Sequence, residues 1–218
     1  MRGLLRNNFY TALPNVKVFT GIAVLLGAFV VAMDNAVPSL VIGYMLLVIV
    51  GFSLISIASV RKESAEKWEK YKLTTPVKRT DIVLSFFMSQ LLWLFAGIVF
   101  AGLGVALSVA LHGYPFDRST DVFMLFVVGT GISLFMGAIF FPLHFLGGEE
   151  RSEVMMVVSL LGGIGMMMGL SSLINRVYSG NMTSRQIILS GIFITACSAA
   201  AFAASFPVTA GVFRKKEY

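Results

Sequence analysis

The sequence predicts an all-α membrane protein with six transmembrane helices, and three observations carry that prediction. Of its 218 residues, 57% are hydrophobic and only 13% charged, with a mean hydropathy of +0.85. Soluble domains sit near roughly 45–50% apolar and about 25% charged, so lipid is the solvent that fits this composition. Six apolar runs, at about 18–33, 39–60, 82–111, 122–146, 154–174 and 187–212, approach or exceed the ~20 residues a spanning helix needs. Finally, the basic residues alternate between loops. The amino terminus, residues 61–81, residues 147–153 and the carboxyl terminus hold fourteen of the seventeen Lys and Arg; the other loops hold only Arg118, Arg176 and Arg185. Under the positive-inside rule both termini are cytoplasmic.

Taken in order, residues 1–15 place Leu4, Leu5, Phe9, Ala12 and Leu13 at helical spacing among Arg2, Arg6 and Asn7. That pattern predicts a short helix lying in the headgroup region, ended by Pro14 before the first span. The first apolar run begins only near Val16 and has no small-residue cleavage site after it, unlike a cleaved leader. The third span is the longest, about 30 residues or roughly 45 Å at 1.5 Å per residue. It is expected to project past the bilayer, with Thr80 as its cap and Asp81 on the positive end of the helix dipole. The whole chain, 1–218, reads as one transmembrane domain.

The interiors of the spans hold no Asp, Glu, Lys or Arg. Such charges mark ion paths and proton relays, and their absence argues against an ion-coupled transporter or cation channel. Small residues instead recur at spacing four: Gly129/Ser133/Gly137, Gly165/Gly169 and Ala196/Ala200/Ala204. They permit close backbone approach, either within the chain or between two copies. Met155, Met166 and Met167, with Met156 and Met168, enrich the fifth span. Methionine adapts to irregular surfaces; core filling is the favoured reading and a permissive substrate path the alternative.

Catalytic motifs are missing. The run Gly162-Gly163-Ile164-Gly165 has no Lys to reach a phosphate, and no Cys/His cluster has metal-ligand spacing. His112 and His144 are expected at opposite faces. Glu149-Glu150-Arg151 is similar to the paired glutamates of some intramembrane proteases, but those place an arginine four residues after the second glutamate, where this chain has Val154. A membrane-embedded hydrolase, or a scaffold without transport activity, remains the alternative of another class. Cys197 is a single cysteine and excludes an internal disulfide framework.

The polar island 61–81 stands apart. It is too long and too charged for a plain connection, most of which are a few residues, and it holds seven basic residues. Glu63–Lys67 and Glu66–Lys70 are i, i+4 pairs with the acid first, the better orientation on a helix. Trp68 and Tyr71 share a face of that helix, and such aromatics anchor binding surfaces. Lipid anchoring is the alternative, but charge on nearly every side leaves little lipid-facing surface. The segment therefore predicts contact with a soluble partner.

Trp68 and Tyr71, then Leu73, Pro76 and Val77, a basic residue, and Asp81-Ile82-Val83 resemble a motif of the ABC type-2 permease family before its third span. Pro142-Leu143-His144-Phe145 with Gly147 and Gly148-Glu149-Glu150 is similar to a looser pattern after the fourth. The resemblance covers nearly the whole chain; Thr74-Thr75 departs from the more usual Ser or small apolar residues. Within the family the chain looks most like small six-helix permeases of phenol-soluble modulin and other antimicrobial-peptide exporters. The resemblance implies a non-enzymatic permease subunit in a bacterial cytoplasmic membrane, exporting amphipathic peptides. Two copies of a separate ATPase would carry ATP and Mg, and a second permease copy would complete the path; no nucleic acid is implied. It further implies a coupling helix at Ser64–Leu73, with Glu66, Lys67, Trp68, Glu69, Lys70, Tyr71, Pro76 and Arg79 meeting the ATPase. Lantibiotic immunity and drug or lipid efflux are alternatives within the family.

Overall fold

The computed structural model describes residues 2–32, 38–65, 78–114, 116, 118–147, 151–178 and 182–215. All regular structure among them is helical: α1 (Arg2–Ala32), α2 (Pro38–Ala65), α3 (Arg79–His112), α4 (Asp121–Gly147), α5 (Ser152–Val177) and α6 (Ser184–Lys215). Each is long and apolar enough to cross a bilayer. The outward surface carries many large apolar side chains, among them Leu25, Phe95, Leu103 and Leu161. That distribution suits a lipid surround, in which such faces lose nothing by exposure.

Helix α4 is the central strut, packing against α2, α5 and α6, while α1 lies against α2 and α3. The densest packing is aromatic. Phe87 contacts Phe141 at 4.4 Å and Phe202 at 4.8 Å between ring centroids, and Phe145 meets Phe213 at 5.0 Å. These rings join α3, α4 and α6 toward the end of the bundle where both termini lie. Close approach of α4 and α5 depends on Gly163: a Cβ there would stand 2.9 Å from the Ile132 carbonyl oxygen and 3.0 Å from the Met136 nitrogen.

The expected break at Pro14 does not occur. Residues 2–32 form one helix with Pro14 inside it. Proline removes one backbone donor and normally kinks or breaks a helix interior. Here its ring faces outward, while Asn8, Ala12 and Val16 are buried on the opposite side. Phe9 stacks on Trp93 at 5.0 Å and Phe19 meets Phe52 at 5.4 Å. Packing on both sides of the proline holds the two segments in line.

Helix α3 also begins earlier than expected. Lys78 occupies the cap position without a side-chain hydrogen bond, so Thr80 is a first-turn residue rather than the cap. The Lys78 carbonyl instead accepts from the Asp81 amide at 2.9 Å. Asp81 does lie in the first turn.

Candidate functional site

The polar island is rooted in two helices. Helix α2 runs through residues 61–65 and α3 starts at Arg79, so both project their ends toward the island from the face holding the termini. Glu66, Lys67, Trp68, Glu69, Lys70, Tyr71 and Pro76 lie outside the described residues, as does most of the expected coupling helix at Ser64–Leu73. Its root is the end of α2. Glu63 is 2% exposed, and its carboxylate accepts from Asn7 Nδ2 at 2.9 Å and from Thr11 Oγ1 at 3.4 Å. Burial of a carboxylate requires such partners, so the helix α1 amino terminus is fastened to the base of the island. Asn8 Nδ2 donates to Ser85 Oγ at 3.0 Å, tying α1 to α3 as well.

Two further ties radiate from the same level. Arg61 pairs with Glu153, joining α2 to α5. Arg79 donates from Nη1 to the Arg214 carbonyl at 3.1 Å, joining α3 to α6. The ends of α2 and α3 thus contact α1, α5 and α6 directly. The sequence pattern placed Glu63 on a solvated, charged helix face; the structure buries it, because the α1 amino terminus folds over it. Asn7 and Asn8 were readable only as polar residues interleaved in an amphipathic segment.

Deeper in the bundle, Gln90 is fully buried. Its Nε2 donates to Ser133 O at 2.9 Å and to Ser53 Oγ at 3.2 Å, linking α3 to α4 and α2. Gly137 provides the space: a Cβ there would lie 2.3 Å from the Gln90 amide. This layer carries no charge, yet Gln90 is the only Asn or Gln within the six apolar runs, and that isolation marks it in the sequence. His144 is buried and stacks on Phe140 at 5.2 Å, while His112 ends α3 at the other end of the bundle.

The methionines of α5 do not share one setting. Met167 is buried with Val127 and Ile194, and its sulfur fills the space beside Gly131. Met155 covers Gly147, whereas Met166 is half exposed. An apolar groove runs across α1, α2, α4 and α5. One cavity of about 420 Å³ is lined by Phe19, Leu47, Val50, Leu54 and Leu160; a neighbouring cavity of about 290 Å³ includes Met167 and Met168. They share Ile132 and Ile164.

The chain matches the family model for ABC-2 family transporter protein over residues 3–213. No curated protein and no solved structure gives a significant match.

Proposed function

The chain belongs to the ABC-2 transporter family, and from that premise we propose that it is an exporter permease moving amphipathic peptides. The family makes it the membrane permease of an ABC transporter and implies an ABC ATPase partner. In our reading two ATPase subunits, holding ATP and Mg²⁺, meet the segment Ser64–Leu73 from the cytoplasm of a bacterial cell. Trp68 and Tyr71 act as wedges, while Glu66, Lys67, Glu69, Lys70 and Arg79 set register and Pro76 ends the contact. The observation that carries the permease part of the reading is the family match over nearly all of the chain.

The mechanism follows from the ties around the island. Approach of the ATPase subunits draws the ends of α2 and α3 inward. The Glu63 contacts pass that movement to α1, the Arg61–Glu153 pair to α5, and the Arg79–Arg214 contact to α6. A bundle joined this way rocks as a packed body, the usual form of such transitions.

A second copy completes the path by closing the groove on α1, α2, α4 and α5. Apart from Ser171 its walls are apolar, which suits an amphipathic peptide better than an ion. Gly165 and Gly169 add a surface for close approach: both are exposed, and a Cβ on either meets nothing within 4 Å in this chain.

The test is Trp68→Ala with Tyr71→Ala in liposomes containing the ATPase. ATPase activity is expected to lose its stimulation by peptide, with transport falling by about ten-fold or more, as for loss of two interface anchors. Unchanged ATPase association and transport would refute the reading. A substrate panel of peptides, lantibiotics, drugs and lipids separates peptide export from the other family roles, and failure to co-purify with the ATPase would favour a scaffold or hydrolase.

A further inference from the structure

The apolar surface of the bundle ends at different levels on different helices, and contacts with α2 set those levels. On α1, Gly27 lies against Tyr44, Phe19 against Gly51 and Phe52, and Asn7 and Thr11 against Glu63. On α5, Leu160 and Ile164 share a cavity with Val50 and Leu54, and Glu153 pairs with Arg61. Both helices run antiparallel to α2, so Val18 and Leu161 each stand beside residues 52–54 and level with one another. The ends farthest from the termini also agree: α1 at Ala32 and α5 at Val177 both come level with the start of α2 at Pro38.

Toward the termini the two helices part. On α5, exposed apolar side chains run from Val154 through Val157 and Leu161 to Val177, roughly 35 Å at 1.5 Å per residue. On α1, apart from Tyr10, they begin only at Val18 and continue through Ile22, Leu25 and Phe29. From Lys17 to Ala32 the helix rises about 22 Å, short of the ~30 Å of a hydrocarbon core. Helix α3 sides with α5: Gly97 lies against Phe52, so the exposed Met88 and Leu91 stand nearer the termini than Lys17 does. In place of such groups α1 exposes Arg6, Tyr10, Asn15 and Lys17. Arg6 lies over the Tyr10 ring at 5.6 Å, and neither Arg6 nor Lys17 forms an ion pair among the described residues.

We infer that the headgroup layer of the leaflet nearer the termini dips along α1 to the level of Asn15 and Lys17, so that the bilayer is thinner beside α1 than beside α5. Phospholipid phosphates meet the Lys17 ammonium there, and Tyr10 lies at the depth where tyrosines concentrate. A lysine stem can reach several ångströms toward water on its own, but Asn15 cannot. Asn15 is level with Val158, roughly 6 Å past Val154, and that is the least depth of the dip. Bending a leaflet costs little per ångström, whereas an amide and an ammonium held in hydrocarbon cost more. Phosphate is common to neutral and anionic phospholipids, so the dip needs no particular headgroup. The inference depends on α1 and α5 crossing one bilayer and not on the transport reading.

The experiment compares two level-matched, exposed positions, Val18→Cys on α1 and Leu161→Cys on α5, each in a Cys197→Ala background. Each full chain carries a bimane fluorophore and is placed in phosphatidylcholine vesicles, with nitroxide quenchers on either the lipid headgroup or the middle of the acyl chain. Bimane at position 18 is expected to be quenched more by the headgroup nitroxide, and at position 161 more by the acyl nitroxide, a depth difference of about 6 Å. Asn15→Leu with Lys17→Leu should remove most of that difference, while Lys17→Arg should keep it, which controls for misfolding. Equal depths at the two positions would overturn the proposal, as would a difference that survives the double Leu variant. So would a position 18 shielded from both quenchers, since a second copy or an aqueous path would then cover this face of α1.

Discussion

Helices α4 and α5 lie side by side, are similarly apolar, and each carries small residues at spacing four, yet the bundle uses them differently. On α4 the stripe faces inward. Gly129 accommodates Ile49 of α2, Ser133 is fully buried, and Gly137 makes room for the Gln90 amide. On α5 the stripe Gly165/Gly169 faces outward, and only the offset Gly163 touches backbone of α4. Ala196, Ala200 and Ala204 of α6 are likewise exposed. A spacing of four permits close packing; the partner across the interface decides whether packing occurs. Within this chain one of the three stripes is used, so ordinary intrachain packing accounts for the first and not for the other two.

This contrast can be broken most severely at the glycines. Gly163→Leu should destabilise the chain by about 3 kcal/mol, the upper range for overpacking, because backbone atoms of α4 bar the new side chain. Gly165→Leu, two residues away in open space, should change the unfolding midpoint of the isolated chain little. Denaturation of both variants in mild detergent checks the pair; similar losses would mean that α5 packs through its other face.

The polar layer gives an intermediate effect. Gln90→Leu keeps the volume and removes two interhelical hydrogen bonds, so a loss of about 1 kcal/mol is expected, within the range for such bonds in membranes. A double-mutant cycle with Gly137→Ala sharpens the comparison: the added methyl should be better tolerated beside a shorter residue, as in Gln90→Ala, than beside Gln90. Additive effects would indicate that the amide does not occupy the Gly137 notch.

The smallest effect belongs to the Arg61–Glu153 pair between α2 and α5. Its side chains are 38% and 70% exposed, and exposed pairs contribute about 0–1 kcal/mol. Glu153→Gln should therefore leave stability nearly unchanged, measured by the same denaturation. In the proposed exporter it should nevertheless weaken coupling between ATP hydrolysis and transport, since the pair links the island's root to α5.

The sequence by itself determined the number of helices and their lipid setting, because apolar run length and the loss of charge from span interiors are local properties. It also marked the island, since a charged stretch between long apolar runs is visible in composition. It did not determine that α1 passes straight through Pro14. The proline's local preference is plain, but packing of Asn8, Ala12 and Val16 on one side overrides it. Nor did it separate Glu63 from Glu66 and Glu69, the acids that follow it in the island. Only the fold of α1 over the end of α2 buries that carboxylate and supplies Asn7 and Thr11 as its donors. Which glycine stripe is filled and which is left open was likewise a tertiary decision, for a helix carries its own spacing but not the identity of its neighbour.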